Sequence, residues 1–314
     1  MFYNNFKKDS GLSFGVNTDS FFGIGFGLLG GNNPDRLQAS FYGFFNLLNS
    51  YKIRNIEINT EIEQLNPGSL QKFIIPSISA FTLNYLDYSK SSTPTPLSVS
   101  IHLPYLQLNP ASPLEEYRRV SVKAIIAAIN ACMGLDVKKF VIHLTSEFED
   151  SIMFFPIEEK AKKALIDIAA RQAKKSMSEI LKETGLPPDV FALENLEVFP
   201  FDYLYPIVEE FGISICFDMG HWGLNGFMPE EFLKKFGINR IGEIHIQDMS
   251  KKRADLRTTV RNEHRPLGTG VLNPAGFFSS LIGDGQFSGS LIIENRSKED
   301  LITSLDYLKA HNFI

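Results

Sequence analysis

At 314 residues, 44% hydrophobic and with a formal charge of -5, the chain is long and apolar enough to bury a substantial core. Disorder is not indicated, and the charge argues against a protein that coats nucleic acid by bulk electrostatics while leaving room for a local basic loop on an acidic body. The only cysteines, Cys132 and Cys216, each lie in an apolar segment, which reads as two reduced, buried thiols rather than a disulfide or a zinc-thiolate site. The opening MFYNNFKKDS lacks the charged-then-apolar order of a signal peptide, and no segment approaches the roughly 18 apolar residues of a membrane helix. A cytoplasmic protein with no membrane partner is expected.

In chain order, Leu12 to Asn17 reads as a first strand, followed by the loop TDSFFGIGFGLLGGNN. Gly25, Gly27 and Gly30 match GxGxxG there, but they stand several residues beyond the strand instead of in its tight turn, which argues against a dinucleotide fingerprint. The plainer reading is an apolar flap whose Phe21, Phe22 and Phe26 wall a substrate off from water or meet a second copy of the chain. A helix from Asn33 or Asp35 to about Tyr51 leads to a second strand, Arg54 to Asn59, with Glu57 near its end as a ligand or a satisfied edge carboxylate.

After KSSTPTP come a third strand ending at His102, the segment PYLQLNPASP and a helix from about Leu114 to Met133. Lys139 to Leu144 is a strand carrying His143, and a long helix follows from about Ile157 to Thr184. Then come Leu186 to Glu194 as strand, Asp202 to Phe211 as helix, Ile213 to Asp218 as strand with His221 in the loop beyond, and Pro229 to Phe236 as helix. Ile241 to Ile246 is the seventh strand, Ser290 to Glu294 the eighth, and Lys298 to Ala310 the closing helix. Eight alternations of strand and helix predict an α/β protein, a (β/α)8 TIM barrel in a single domain over 1–314, with a doubly wound open sheet as the competing architecture.

Six apolar runs, LSVSIH, KFVIH, VFALE, ISICFD, IGEIH and SLIIE, end in His, Asp or Glu. Four of the six histidines, His102, His143, His221 and His245, sit at or just after such an end. A lone strand-end histidine is ordinarily a hydrogen-bonded structural residue. In a barrel, however, all eight strand ends converge on one mouth, where Glu194, Asp218, His221, His245 and Glu294 meet His102 and His143. Mixed imidazole and carboxylate donors suit zinc, manganese, cobalt or iron, and this many of them suit one to three ions. His264 lies on a loop, and His311 near the C-terminus reads as solvated. The segment Asp248 to Arg261 carries Arg253 and Arg257, a candidate phosphate clamp on an otherwise solvated loop.

SIHLPY, FVIH, ALENLE, FDMGH, HIQDMS, EHRPLGTG and LIIE, in that order, resemble the strand-end signatures of the xylose isomerase-like barrel superfamily. That superfamily holds sugar isomerases and epimerases as well as endonuclease IV-type apurinic-site nucleases. The resemblance implies that Glu194, Asp218, His245 and Glu294 form the core metal set with His221 beside it. It also implies that Glu194 and Glu294 are catalytic, passing a proton through a metal-stabilised enediolate. His102, His143 and His264 match further metal ligands of the nucleases, and Tyr105 and Leu106 resemble residues that probe DNA. Against the nuclease, Asn262 stands where that pattern has a metal-binding Asp, ENLEVFP lacks its glycine-rich continuation, and IEINTE resembles the sugar enzymes.

The reading is therefore a divalent-metal-dependent isomerase or epimerase of a small-molecule sugar or sugar phosphate, with Tyr105, Arg253, Arg257, Phe22 and Trp222 as substrate-binding candidates. The alternative is an apurinic-site phosphodiesterase, which alone makes nucleic acid a partner. A third class is a barrel that binds metal without this catalysis.

Overall fold

The computed structural model describes residues 12–19, 34–61, 63, 67–79, 97–250, 262–284 and 287–314. Eight parallel strands close into a barrel in sequence order: β1 Ser13–Asn17, β2 Asn55–Asn59, β3 Ser98–His102, β4 Val137–Ile142, β5 Phe191–Glu194, β6 Ser214–Asp218, β7 Ile241–Ile246 and β8 Ser290–Ile293. Closure is made by β8 against β1, with Ile293 opposite Val16. This is the predicted (β/α)8 barrel, and the doubly wound alternative is excluded because an open sheet has two edges.

Each strand alternates between the helix layer and the lumen. On β6, Ile215 and Phe217 face outward among the core side chains while Cys216 and Asp218 face the lumen side, where Asp218 is opposite His245 of β7. Phe217 stacks on Phe232 with centroids 4.2 Å apart, which ties β6 to the helix Pro229–Phe236 behind it.

Several expectations need correction. The fifth strand is only Phe191–Glu194, because Pro187 and Pro188 cannot donate to a ladder and instead open a 3-10 turn over Pro188–Val190. His143 and Glu294 stand one residue beyond their strands. His221 is not in a loop but in a short helix, Met219–Leu224, which Asp218 caps by accepting from His221 N at 2.6 Å. Two helices were not anticipated, Glu147–Ile152 with a capping box on Ser146 and the apolar Pro274–Asp284. His311 is not simply solvated: it is half-buried over Tyr307, with Nδ1 2.8 Å from the Tyr307 carbonyl. Cys132 and Cys216 are free and buried, as expected. No described helix is long and apolar enough to cross a membrane. The 18–32 loop beyond Asp19, with its glycines and Phe22, and the basic segment with Arg253 and Arg257 lie outside the described residues.

Candidate metal centre

Six of the other seven proposed metal-binding side chains gather around Glu194, which is 1% exposed at the end of β5. Its Oε2 lies 3.2 Å from His102 Nε2 and 2.9 Å from His143 Nε2. Its Oε1 lies 3.2 Å from His245 Nδ1 and 3.6 Å from His221 Nδ1. His245 Nδ1 is also 3.2 Å from Glu294 Oε2 and 3.8 Å from Asp218 Oδ2. One donor atom from each of Glu194, Asp218, His245 and Glu294 lies within 4.8 Å of the others, and the same holds for His102, His143 and Glu194. These two sets share Glu194, a third group adds Cys216 to Glu194 and His245, and a fourth, deeper group joins Glu57, Glu243 and His245.

The backbone around Asp218 is held by side chains. Asn195, just past β5, donates from Nδ2 to the Asp218 carbonyl at 3.0 Å and accepts from Asp218 N at 2.9 Å, extending the β5–β6 pairing past its last residue. Gln247 donates to Asp218 Oδ2 at 2.5 Å and also accepts from His264 N, so it links Asp218 to the loop that carries His264. A Cβ on Gly220 would stand 2.5 Å from Gln247 Cδ, which is why a glycine follows Asp218 so closely.

The ring nitrogens test whether a cation fits. His102 Nδ1 faces the Leu103 carbonyl at 3.0 Å while Nε2 faces a carboxylate, and both partners only accept. A neutral imidazole supplies one proton, so His102 is either an imidazolium or has a cation between Nε2 and Glu194. His245 has the same conflict, with Nδ1 toward Glu194 and Nε2 3.1 Å from Glu57 Oε2. Among the described residues Glu294 Oε2 has no hydrogen-bond partner although it is buried, while the side chain as a whole keeps 19% exposure. Tetrahedral donors 2.0–2.1 Å from a zinc ion stand about 3.3 Å apart, close to the 3.2 Å separations around His245 Nδ1. The donor set fits a divalent ion.

Charges respond accordingly. Burial would lower His102, but the hydrogen bond and charge of Glu194 outweigh it and hold it at about 9. Burial likewise opposes the charge of His221, but Asp218, Glu197 and Glu194 raise it to about 10. Burial pushes Asp218 up to about 7 against the pull of His221. Glu194 and Glu294 fall below the usual carboxylate range despite burial, chiefly through His245. His264 is instead lowered by burial. These imidazoles supply the positive charge the carboxylates require.

The remaining candidates separate. His221 is adjacent to the four-donor set but outside it: Nδ1 is 3.1 Å from the Asn195 carbonyl, and Nε2 is 3.8 Å from Glu197. His264 reaches the rim, with Nδ1 3.2 Å from the Glu294 carbonyl and 3.9 Å from its Oε2, but it joins no complete donor set among the described residues. Tyr105 lies over His143 with centroids 4.6 Å apart, and its backbone N donates to Glu61. Trp222 turns away from the imidazoles: its indole donates to the Met228 carbonyl at 3.1 Å and packs edge-on against Phe232.

Sequence reasoning missed Asn195, Gln247, Glu243 and Asp19, and left Glu57 undecided. Asp19 accepts from Asn59 Nδ2 at 2.9 Å, and burial pushes it up to about 7. Its signal was only its place after β1.

Residues 79–311 match the family described as the xylose isomerase-like TIM barrel. The chain belongs to that family. Among relatives, it is 27% identical to protein MJ1311 of Methanocaldococcus jannaschii over 224 residues, 68% of this chain and 70% of that one. It is also 27% identical to an inosose dehydratase of Clostridium botulinum, over 36% of this chain and 41% of the enzyme. Among solved structures, this xylose isomerase-like barrel resembles a D-tagatose 3-epimerase-like protein, with TM-score 0.64, 22% identity and 96% and 97% of the two chains covered. It also resembles endonuclease IV of Thermus thermophilus, with TM-score 0.61, 15% identity and 95% and 98% covered. A third is the IOLI protein with a bound zinc atom, with TM-score 0.59, 16% identity and 96% and 98% covered. At these identities the structural likeness establishes the fold, and the chemistry is argued from the site.

Proposed function

We propose that this chain is a divalent-metal-dependent isomerase or epimerase of a sugar or related polyol, with Glu194, Asp218, His245 and Glu294 holding the ion. The observation that carries this reading is Glu294 Oε2, a buried carboxylate oxygen without a hydrogen-bond partner among the described residues, set 3.2 Å from an imidazole nitrogen that also faces Glu194. When bound, a divalent ion would supply Lewis-acid polarisation of adjacent carbonyl and hydroxyl oxygens of a substrate, acidifying the proton on the hydroxyl-bearing carbon next to the carbonyl. Glu294, whose side chain keeps access to the mouth, takes that proton, and Glu194 returns one, drawing on the imidazoles that crowd it. Tyr105 walls the mouth beside His143 and orients the substrate. A sugar with or without a phosphate fits this chemistry, and Arg253 and Arg257 remain the candidates for holding a phosphate.

A second reading rests on one observation, the set of His102, His143 and Glu194, which shares its glutamate with the first. Two ions sharing a carboxylate suit phosphodiester cleavage, with one activating water and the other holding the leaving oxygen. Against it, the His221 and His264 pair has Asn262 where a third carboxylate ligand would stand, and forms no third set among the described residues.

The deciding experiment measures metal content per chain on protein purified without chelators, then assays ketose and sugar-phosphate epimerisation in D2O beside cleavage of an abasic-site duplex. Deuterium at one sugar carbon, abolished in Glu294→Gln, supports the epimerase. Duplex cleavage with two or three zinc ions and no solvent deuterium in any sugar would overturn it.

A further inference from the structure

Below the mouth, the lumen holds charge where barrels of this kind carry branched apolar side chains. Glu57 of β2 and Glu243 of β7 are 0% and 1% exposed, beside the buried Asn17 and Ser100. Glu57 Oε1 accepts from Asn17 Nδ2 at 2.6 Å, and its Oε2 accepts from His245 Nε2 at 3.1 Å. Glu243 stands beside it, with donor atoms of Glu57, Glu243 and His245 within 4.8 Å of one another, and its Oε1 is 4.0 Å from His245 Nε2 without a hydrogen-bond partner among the described residues. Two carboxyls side by side in a closed lumen are costly, and apolar side chains of similar volume would serve the fold as well. Something other than packing requires them.

His245 supplies the reason. Its Nδ1 is the atom that faces Glu194, Asp218 and Glu294. A ring nitrogen can ligate a metal only with its lone pair free, and the proton must then sit on the other nitrogen, usually on a carboxylate or carbonyl partner. We propose that Glu57 is the positioning residue of the metal centre: it holds the Nε2 proton of His245, turns the Nδ1 lone pair toward the three carboxylates, and is itself held by Asn17. This rests on reading that donor set as a metal centre. Glu57 is neither a ligand of that set nor an edge carboxylate.

The test compares wild type with Glu57→Gln and Glu57→Leu for Co(II) affinity by chelator competition and for the visible absorption of the Co(II) complex. The amide of Gln still accepts from Nε2 without its charge, whereas Leu cannot accept. Affinity is expected to fall roughly 10–100-fold in Glu57→Leu, the usual loss for an outer-shell partner, less in Glu57→Gln, with an altered spectrum in Glu57→Leu. Because the Leu variant strips a buried partner from Asn17, a second measurement uses wild type alone. In the zinc-loaded protein labelled with 15N-histidine, the His245 signals, assigned by their loss in His245→Asn, should show a proton on Nε2. A proton on Nδ1, or unchanged Co(II) affinity and spectrum in both folded variants, overturns the positioning role while leaving the metal centre standing. Failure of wild type to bind Co(II) or Zn(II) overturns both.

Discussion

His102 and His221 make the metal-free protein sensitive to pH in a definite direction. Their folded values, about 9 and about 10, lie above the ordinary value near 6.5. The folded chain therefore binds more protons than the unfolded chain between those limits, and stability falls as pH rises there. The contribution is complete below about 6.5 and lost by about 10. Asp218, raised to about 7, adds a loss in the same direction at lower pH, between the ordinary carboxylate range and 7. Metal-free protein should thus lose thermal stability steadily from pH 6.5 to 9, and excess Zn(II) should flatten the decline. Adding Zn(II) to weakly buffered protein at pH 7.5 should release protons, because ligating imidazoles must give them up. Thermal stability independent of pH, with no proton release, would mean the imidazoles are not charged as the geometry requires. At the same scale, Glu294→Gln should lower kcat by about 10²–10⁴-fold, the usual worth of a positioned acid or base, with substrate still bound. Asp218→Asn should instead weaken metal binding first. These strand-end residues were legible because a polar group abruptly ends an apolar run. Glu243 was not, and Glu57 was singled out without its role, because each sits inside a strand whose inward face is unusually polar, and periodicity does not reveal which face is inward.

The elements divide into those that carry donors and those that hold the carriers in place. Asn195 does for β5 and β6 what another residue pair of ladder would do, and both of its bonds to Asp218 are buried. Asn195→Ala leaves the Asp218 N–H and carbonyl without those partners, and should cost about 1–3 kcal/mol. Urea unfolding should show it, together with weaker metal binding, since Asp218 loses its anchor. Phe232→Ala acts from the other side of β6. It opens a cavity among Phe217, Trp222, Phe201 and Phe236 and should cost about 3–5 kcal/mol, while metal affinity of the folded fraction stays near wild type. If Phe232→Ala abolishes binding and Asn195→Ala spares it, the division is wrong. Element type was legible where periodicity was strong, as for Pro229–Phe236 and Lys298–Ala310, both found where predicted. The apolar helix Pro274–Asp284 was missed because it has no charged residue before Asp284 to mark its outer face, only Ser279 and Ser280 beside the buried Phe277 and Phe278. Asn195 was passed over because a polar residue after a strand reads as loop, and only the fold shows it bonded to a neighbouring strand.

For the molecule as a whole, the four candidate donors come from four consecutive strands, β5 through β8, whereas His102 and His143 come from β3 and β4. An ion in the first set would tie one half of the barrel together at its mouth. Strand-end hydrogen bonds such as Asn195 N to the Cys216 carbonyl and Glu294 N to the Ile246 carbonyl bridge that half. A ligand that binds only the folded state stabilises it by about 2.7 kcal/mol at a hundred times its dissociation constant. Local opening of the elements it joins is suppressed along with global unfolding. Amide hydrogen exchange with and without Zn(II) should therefore slow most at residues 193–195, 217–221, 244–247 and 293–295 when a single ion binds. A second ion held by His102, His143 and Glu194 would extend the slowing to residues 101–104 and 141–144, where Leu103 N bonds to the Val141 carbonyl. The ends of β1 and β2 contribute no donor to either set and should change least. Slowing confined to β5–β8 favours the one-ion centre of the epimerase reading, and slowing that spreads to β3 and β4 favours the shared-glutamate pair. Uniform slowing of the whole barrel would mean that the ion acts only through global stability, and that the half-barrel clamp does not exist.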